Sequence, residues 1–150
     1  MKPLWQPRGV AVIGASATPG SLGNRLLGYL TGHGYEGPVY PVNPKSADIN
    51  GLTCYPSVKE IEAPVDLALV LVGADRVMGA LRDCAAKGVP YVVIHSSGFG
   101  ETGDAGRALE QELVRFAHTH GIRLIGPNCI GLVSAPDSLV AGFSPLFSKV

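Results

Sequence analysis

The chain has 150 residues, the usual size of one domain, and 46% of them are hydrophobic, which is enough for one core. Twelve basic residues balance twelve acidic ones, so the charge gives no reason to expect binding to nucleic acid or to a membrane surface. No apolar run reaches membrane-spanning length, and residues 1–7 lack the apolar stretch of a signal peptide. We therefore expect a cytoplasmic protein without nucleic-acid or membrane partners.

Five short apolar runs, rich in β-branched residues, predict five strands. They occupy residues 10–13, 38–42, 67–72, 91–94 and 122–125. Near-continuous apolar strands are typical of a parallel sheet that is covered on both faces. The second run contains two prolines, which disfavour a central place in the sheet because proline cannot donate a ladder hydrogen bond.

Stretches with helical periodicity separate most of these strands. Leucines within residues 22–30 share one side of a first helix, and Asp75 is placed to cap a second helix that stops at Gly88. A third helix carries apolar residues at three- and four-residue spacing over residues 109–117 and ends at Gly121. This alternation predicts an α/β fold, a Rossmann-like doubly wound domain with a mainly parallel five-stranded sheet and helices on both faces.

Two segments do not fit the alternation. Residues 43–62 are polar and turn-rich, with at most one short helix near residues 57–61. Residues 140–150 contain apolar side chains without a strand or helix period. We expect the Rossmann-like domain to occupy residues 1–135 and residues 136–150 to form an irregular tail. The tail is either the start of a linker to further domains absent from this chain or a segment that docks on a partner.

The turn between the first strand and the first helix predicts an anion site. It is rich in glycines and hydroxyls, and its candidate binding residues are Gly14, Ser16, Ala17, Thr18, Gly20, Ser21 and Gly23. The glycines permit a tight exit from the strand, close approach of a ligand and close packing of the helix. The hydroxyls and the unpaired N–H groups at the start of the helix can both donate hydrogen bonds to an anion. The turn departs from a strict GxGxxG pattern, but its position after a buried strand favours a nucleotide diphosphate.

The loop after the second strand narrows the choice of nucleotide. It runs through Asn43, Pro44 and Lys45, with no acidic residue before Asp48. A typical NAD site has an acidic residue here that holds the ribose hydroxyls, whereas a lysine can pair with a phosphate. The loop therefore disfavours NAD and leaves NADP or coenzyme A (CoA), both of which carry an extra ribose phosphate.

Further candidate residues follow the remaining strands, because ligands of open α/β sheets lie at the carboxyl ends of the strands. The third strand ends at Val72, Gly73 and Ala74, the fourth runs into His95, Ser96, Ser97 and Gly98, and the fifth is followed by Asn128. We expect the loop after the fourth strand to lie beside the first turn.

No catalytic or metal-binding residue is predicted. The three cysteines, Cys54, Cys84 and Cys129, are far apart and read as free thiols of a reducing compartment. The sequence contains no metal-ligand spacing and no arrangement typical of a serine hydrolase. Of the four histidines only His95 falls near the predicted cleft, and we expect a structural role for it.

Four stretches in order carry a more specific signal: residues 10–16, 40–45, 97–99 and 126–131. Together they resemble the N-terminal CoA-binding domain of the NDP-forming acyl-CoA synthetases, relatives of the succinyl-CoA synthetase alpha subunit. The resemblance covers roughly residues 4–135. These enzymes join an acid to CoA at the expense of ATP or GTP, through an acyl phosphate and a phosphohistidine. The resemblance places the phosphohistidine and the ATP-grasp module beyond residue 150, so ATP, ADP and Mg²⁺ would belong only to a complete enzyme.

The resemblance also assigns roles along the chain. It implies that residues 16–21 bind the CoA diphosphate and that Lys45 binds the phosphates on the adenosine side. Residues 72–74 would flank the adenine, Ser96 and Ser97 would face the pantetheine arm, and Asn128 would lie near the reaction centre. A glutamate stands in the succinate enzymes where Ser97 stands here, which puts a contact from this position to the phosphohistidine in question.

Three functions remain open at this point. The first is the CoA-binding part of an NDP-forming acyl-CoA synthetase, an acid–thiol ligase, inert without the other domains. The second is a stand-alone CoA-binding or regulatory protein, or the N-terminal domain of a fused protein-lysine acetyltransferase. The third, supported by the fold alone, is an NADP-dependent oxidoreductase domain. The sequence leaves the acid substrate and the oligomeric state undetermined.

Overall fold

A computed structural model describes residues 2–149, so Met1 and Val150, the outer ends of the predicted domain and tail, lie outside the described residues. The helices are α1 (Lys2–Trp5), α2 (Leu22–Gly32), α3 (Ala74–Lys87) and α4 (Asp104–Thr119). The strands are β1 (Val10–Ile13), β2 (Val39–Val42), β3 (Asp48–Ile49), β4 (Leu52–Thr53), β5 (Leu67–Val70), β6 (Tyr91–Ile94), β7 (Arg123–Ile125), β8 (Gly131–Ser134) and β9 (Leu139–Gly142). Short 3₁₀ helices span Val58–Glu60, Gly100–Thr102 and Pro145–Lys149.

The main sheet has five parallel strands in the order β2-β1-β5-β6-β7, which confirms the predicted class. The proline-containing β2 lies at the edge, as its composition indicates. The chain moves outward from β1 to β2 and then crosses to β5 on the other side of β1. Ile13 is in register with both Val42 and Val70, so three strands end at one level. The switch in strand order therefore falls where the loops after β1 and β5 diverge.

Both faces of the sheet are covered by apolar side chains. On one face, α3 and α4 contribute Val77, Leu81 and Leu113 to a buried cluster. On the other face, α2 contributes Leu26 and Leu30 to a second cluster. None of the described helices is both long and apolar enough to cross a membrane.

The irregular tail predicted for residues 136–150 is wrong for its central part. β8 and β9 form an antiparallel hairpin, and all four residues of β9 are buried. Leu139 is fully buried in the cluster that contains α2. The segment lacks alternation because both sides of β9 are enclosed, and a four-residue apolar run without alternation cannot be told from an irregular one by periodicity.

Two local expectations also need correction. Asp75 lies in the first turn of α3, whose N-cap is Gly73, and no side chain of residues 2–149 caps this helix. The loop after the fourth main strand, β6, does not lie beside the first turn, because β5 separates β6 from β1. Local sequence could not reveal this, since an order with β6 beside β1 and the observed order with β5 between them have the same alternation of strands and helices along the chain. Gly88 does end α3 in a left-handed conformation, as predicted.

Candidate functional site

A cavity of about 330 Å³ opens at the carboxyl ends of β1, β2 and β5. Its volume is in the range of sites for small molecules and cofactors. It is lined by strand ends, by the loop after β2, by the 3₁₀ helix at residues 58–60 and by one side of α3 between Arg76 and Asp83. Five predicted residues line it: Gly14, Asn43, Pro44, Lys45 and Val72. Apolar walls with a few polar groups suit a planar, partly polar ligand such as a nucleobase with its ribose.

The glycine-rich turn stands beside this cavity and leads into α2. Ser21 caps the helix, because its hydroxyl oxygen accepts the Asn24 N–H at 3.2 Å. The Ser16 hydroxyl oxygen accepts the Thr18 N–H at 3.0 Å, and the Ser21 N–H donates to the Thr18 carbonyl at 3.2 Å. Each serine hydroxyl still has its own proton to donate. The turn thus presents hydroxyl donors beside the positive end of the α2 dipole, a combination suited to a phosphate.

Two glycines of the turn have steric reasons for their identity. Gly14 has a φ of +93°, and a Cβ there would lie 3.1 Å from the Leu71 carbonyl carbon in the neighbouring β5 loop. A Cβ at Gly23 would lie 2.5 Å from the Gly14 carbonyl oxygen. The start of α2 therefore packs directly on the end of β1, as the sequence predicts for Gly23.

Asn43 joins the loop after β2 to the turn after β1. Its side-chain N–H donates to the Ala15 carbonyl at 2.9 Å, and its side-chain oxygen accepts the Lys45 N–H at 2.9 Å. Both ends of one amide group are therefore engaged. The bonds hold the Lys45 backbone at a fixed place relative to the turn after β1, while the Lys45 side chain is exposed at the cavity rim.

The charges around the cavity favour an anionic ligand. Arg76, in the first turns of α3, lines the cavity together with Lys45 and is exposed. Asp83 also lines it, but its carboxylate is already engaged by the Lys59 ammonium at 3.1 Å and by the Ser57 hydroxyl at 3.0 Å. Among residues 2–149, neither Lys45 nor Arg76 has a carboxylate partner. The rim therefore carries two cations whose charges are not neutralised by a bound acid.

Residues after β5 and β6 extend the site along the sheet edge. The Ser96 hydroxyl donates to the Val72 carbonyl, and a Cβ at Gly98 would lie 2.9 Å from the Ala74 side chain. The loop after β6 thus packs on the loop after β5, which in turn contacts Gly14. The Ser97 side chain is exposed. All the loops that follow the five strands meet along this edge, although only part of them borders the cavity.

The loop after β7 is attached to the loop after β6 by two bonds. The Asn128 N–H donates to the Ser96 carbonyl at 2.9 Å, and the His95 Nδ1 lies 2.8 Å from the Cys129 carbonyl oxygen. Because a carbonyl can only accept, Nδ1 carries the ring proton. Burial lowers the pKa of His95, while the Cys129 contact opposes this shift, so the ring is neutral at pH 7. These contacts fit the structural role expected of His95.

Sequence reasoning missed several residues at the site. Arg76, Ser57 and Asp83 line the cavity, and Arg25 reaches the turn itself, with its guanidinium 3.5 Å from the Gly20 carbonyl oxygen. Arg76 had a detectable signal, since it follows Gly73 by one turn at the start of a helix on the same sheet edge. Ser57 and Asp83 had none, because their bond joins elements 26 residues apart.

A parallel doubly wound sheet with a glycine-rich first turn and a cavity at its switch point defines the chain as a Rossmann-like nucleotide-binding domain. The chain belongs to the CoA-binding domain family, which matches residues 8–135. The match confirms the resemblance predicted for residues 4–135.

Three comparisons put the domain in context. It is 46% identical over 149 residues to the alpha subunit of acetate–CoA ligase [ADP-forming] I of Pyrococcus furiosus, covering 97% of this chain and 32% of the relative. Its fold matches the dinucleotide-forming acetyl-coenzyme A synthetase 1 of Ca. Korarchaeum cryptofilum, solved with phosphate and ADP, with a TM-score of 0.92, 42% identity and coverage of 96% and 31%. A hypothetical protein from Pyrococcus horikoshii OT3 matches with a TM-score of 0.68, 26% identity and coverage of 85% and 82%. The chain thus spans about a third of the length of its curated ligase relative.

Proposed function

We propose that this domain binds CoA with its adenosine 3′-phosphate in the cavity, its diphosphate over the turn at residues 14–23 and its pantetheine arm along Ser96 and Ser97. The observation that carries the proposal is that Lys45 and Arg76, two cations on the rim of the cavity, have no carboxylate partner among residues 2–149. A nucleotide that carries a diphosphate but no ribose phosphate would occupy the turn at residues 14–23 and leave Lys45 and Arg76 without a phosphate to contact.

The diphosphate is assigned to the turn because three features converge there. The Ser16 and Ser21 hydroxyls can donate, α2 presents its positive end, and the Arg25 guanidinium is held beside Gly20. Charge-assisted hydrogen bonds of this kind are about twice as strong as neutral ones. The family membership of residues 8–135 supports CoA over the nicotinamide nucleotides that the fold alone would allow.

The adenine is assigned to the space between Val42, Val58 and Val72. Val58 is fully buried at its base, and Val72 faces the cavity directly after β5. In the assigned orientation the thiol end of CoA points away from Lys45, toward the loops after β6 and β7. Asn128 lies at that end, which supports its assignment beside the reacting thiol.

For the longer protein, we propose an acid–thiol ligase in which this domain supplies bound CoA and other domains or subunits supply the nucleotide and phosphoryl chemistry. The support is the ligase relative, which is about three times as long as the matched segment. ATP or ADP and Mg²⁺ would be needed only there. A stand-alone CoA-binding role is the second candidate, favoured by the Pyrococcus horikoshii protein, 82% of which is covered by this chain.

Calorimetry on the present chain tests the cofactor assignment. CoA, dephospho-CoA, NADP and NAD are titrated in parallel, and CoA is expected to bind most tightly. Tightest binding of NADP would overturn the proposal, and so would the absence of CoA binding.

Lys45→Ala and Arg76→Ala test the assignment of the ribose phosphate. Each is expected to weaken CoA by about tenfold or more, because a charge-assisted bond is worth about 1.5–3 kcal/mol, and to weaken dephospho-CoA far less. Arg82→Ala is the matched control for Arg76→Ala. Arg82 is also an exposed arginine of α3, but it lies near Phe116 and His120 of the α4 region and does not line the cavity. Equal losses for both ligands would mean that the two cations do not contact the 3′-phosphate.

A further inference from the structure

We propose that Glu101 is a positioning residue for CoA binding: its carboxylate holds the backbone of Gly98 and Phe99 so that Ser97, next to Ser96, faces the pantetheine arm. Residues 95–102 form the β6 loop. The inference rests on the proposed function, because it concerns the loop assigned to the thiol half of the ligand.

The carboxylate of Glu101 bridges two consecutive amides. One oxygen accepts the Gly98 N–H and the other accepts the Phe99 N–H at 3.1 Å. Hydrogen bonds from backbone N–H groups, that of Gly98 above all, lower the pKa of Glu101 below its usual value. The carboxylate is therefore charged at neutral pH, and both contacts are charge-assisted. Gly98 has a φ of +104°, a conformation that favours glycine and that these bonds fix in place.

The rest of the β6 loop is already fixed by other groups. The Phe99 side chain is fully buried, and the Phe99 carbonyl accepts the Thr102 N–H at 2.9 Å and the Thr102 hydroxyl at 2.8 Å. The Gly100 N–H donates to the Glu110 carboxylate of α4 at 2.9 Å. Toward the other end, Ser96 is bonded to Val72. The segment left to be ordered is Ser97 with Gly98, and Glu101 is the side chain that orders it.

Glu101 acts on the site and not on the core. Its side chain is exposed, and it belongs to neither apolar cluster. Gly98, the residue it holds, packs against Ala74 at the start of α3, next to the cavity wall at Val72. Loss of the two Glu101 bonds would let Ser97 and Gly98 move, while the residues around the cavity assigned to adenosine would stay in place. A merely structural residue would affect both ends of the ligand together.

Two ligands separate these possibilities. CoA contains the pantetheine arm, whereas adenosine 3′,5′-bisphosphate keeps the adenine, the ribose 3′-phosphate and one 5′-phosphate but lacks the arm. Glu101→Ala is expected to weaken CoA by about tenfold, because the freed segment must be ordered on binding, and to leave the bisphosphate affinity unchanged. Glu101→Gln should fall between, since a glutamine oxygen can accept one amide but its NH₂ group cannot accept the second.

Glu112→Gln is the matched control: it removes an exposed carboxylate of α4 on a surface away from the β6 loop and should bind both ligands as the parent does. Amide hydrogen exchange gives an independent readout, with faster exchange at Gly98 and Phe99 expected in Glu101→Ala and no change in β1 or β5. Equal losses for both ligands, or unchanged CoA binding with unchanged exchange, would overturn the inference. Failure of the parent chain to bind either ligand would instead overturn the proposed function. If Glu101→Ala does not fold, the Glu101 role is structural and the inference is wrong.

Discussion

Replacing Gly23 with alanine tests whether contact between α2 and β1 fixes the turn at residues 14–23, to which we assign the diphosphate. The added methyl group would lie 2.5 Å from the Gly14 carbonyl oxygen, 3.2 Å from the Ala15 Cα and 3.2 Å from the Ser16 nitrogen. All three neighbours are backbone atoms, so no side chain can rotate away. The start of α2 must move outward, and the hydroxyls and amides of the turn move with it.

The magnitude follows from two opposing effects. Alanine in place of glycine within a helix stabilises it by about 1 kcal/mol, whereas overpacking in a tight region costs about 1–3 kcal/mol. Gly28→Ala isolates the first effect, because Gly28 lies in the same helix and the added methyl group would have no atom of residues 2–149 within 4 Å beyond its chain neighbours and the nearby backbone of that helix. Relative to Gly28→Ala, Gly23→Ala should be less stable by about 1–3 kcal/mol, roughly 2–12 °C in melting temperature for a domain of this size.

Urea unfolding and CoA calorimetry on both variants provide the assay. Gly28→Ala should be more stable than the parent and bind CoA equally well. Gly23→Ala should be less stable than Gly28→Ala and bind CoA about tenfold more weakly, because the turn is displaced from the diphosphate. Equal stabilisation by the two substitutions would refute the close contact, and unchanged CoA affinity in Gly23→Ala would refute the assignment of the diphosphate to this turn.

Three further outcomes follow from other parts of the fold. Leu139→Ala, measured by urea unfolding, should lower the free energy of unfolding by about 2–5 kcal/mol, since Leu139 is fully buried against α2; a loss near zero would mean that the hairpin is peripheral. Hydrogen bonds from Arg8 lower the pKa of the buried Asp66, so this ion pair stabilises the fold at pH values above the ordinary aspartate pKa, and the stabilisation is lost as the pH falls through the lowered pKa. In acid titrations followed by circular dichroism, Asp66→Asn should lack this pH-dependent loss of stability. Identical titration profiles for the variant and the parent would contradict the assignment. Thiol reagents should modify the half-buried Cys129 first and Cys84 only after unfolding, because burial raises the pKa of Cys84 to about 12; early modification of Cys84 in mass spectra would count against this packing.

The fold class, and the position of several candidate residues around the cavity, were predictable because each depends on short-range patterns. Apolar runs that are buried on both sides identify the five main strands, and the edge position of β2 follows from its prolines. The close packing at Gly23 was likewise readable from its place at the start of a helix after a strand.

What could not be predicted depends on contacts between distant parts of the chain. The burial of β9 arises from packing on α2, more than a hundred residues earlier, and its four residues carry no period that reveals it. Asp75 looks like a helix cap from its residue type, yet the helix begins at Ala74, so Gly73 takes that position. The partner of Glu101 is invisible in sequence for a related reason: its two bonds go to backbone amides, which every residue type offers.

The side-chain amide of Asn43, which links the loop after β2 to the turn after β1, bears on any attempt to change the cofactor specificity. An aspartate at this position could still accept the Lys45 N–H, but its second oxygen would face the Ala15 carbonyl, where the asparagine now donates. Two acceptors would then oppose each other across the gap between the loops. Rossmann-like dehydrogenases carry their ribose-binding acid in this region of the chain. Introducing that acid here to recruit a nicotinamide would therefore weaken the contact that holds the loop after β2 against the turn after β1.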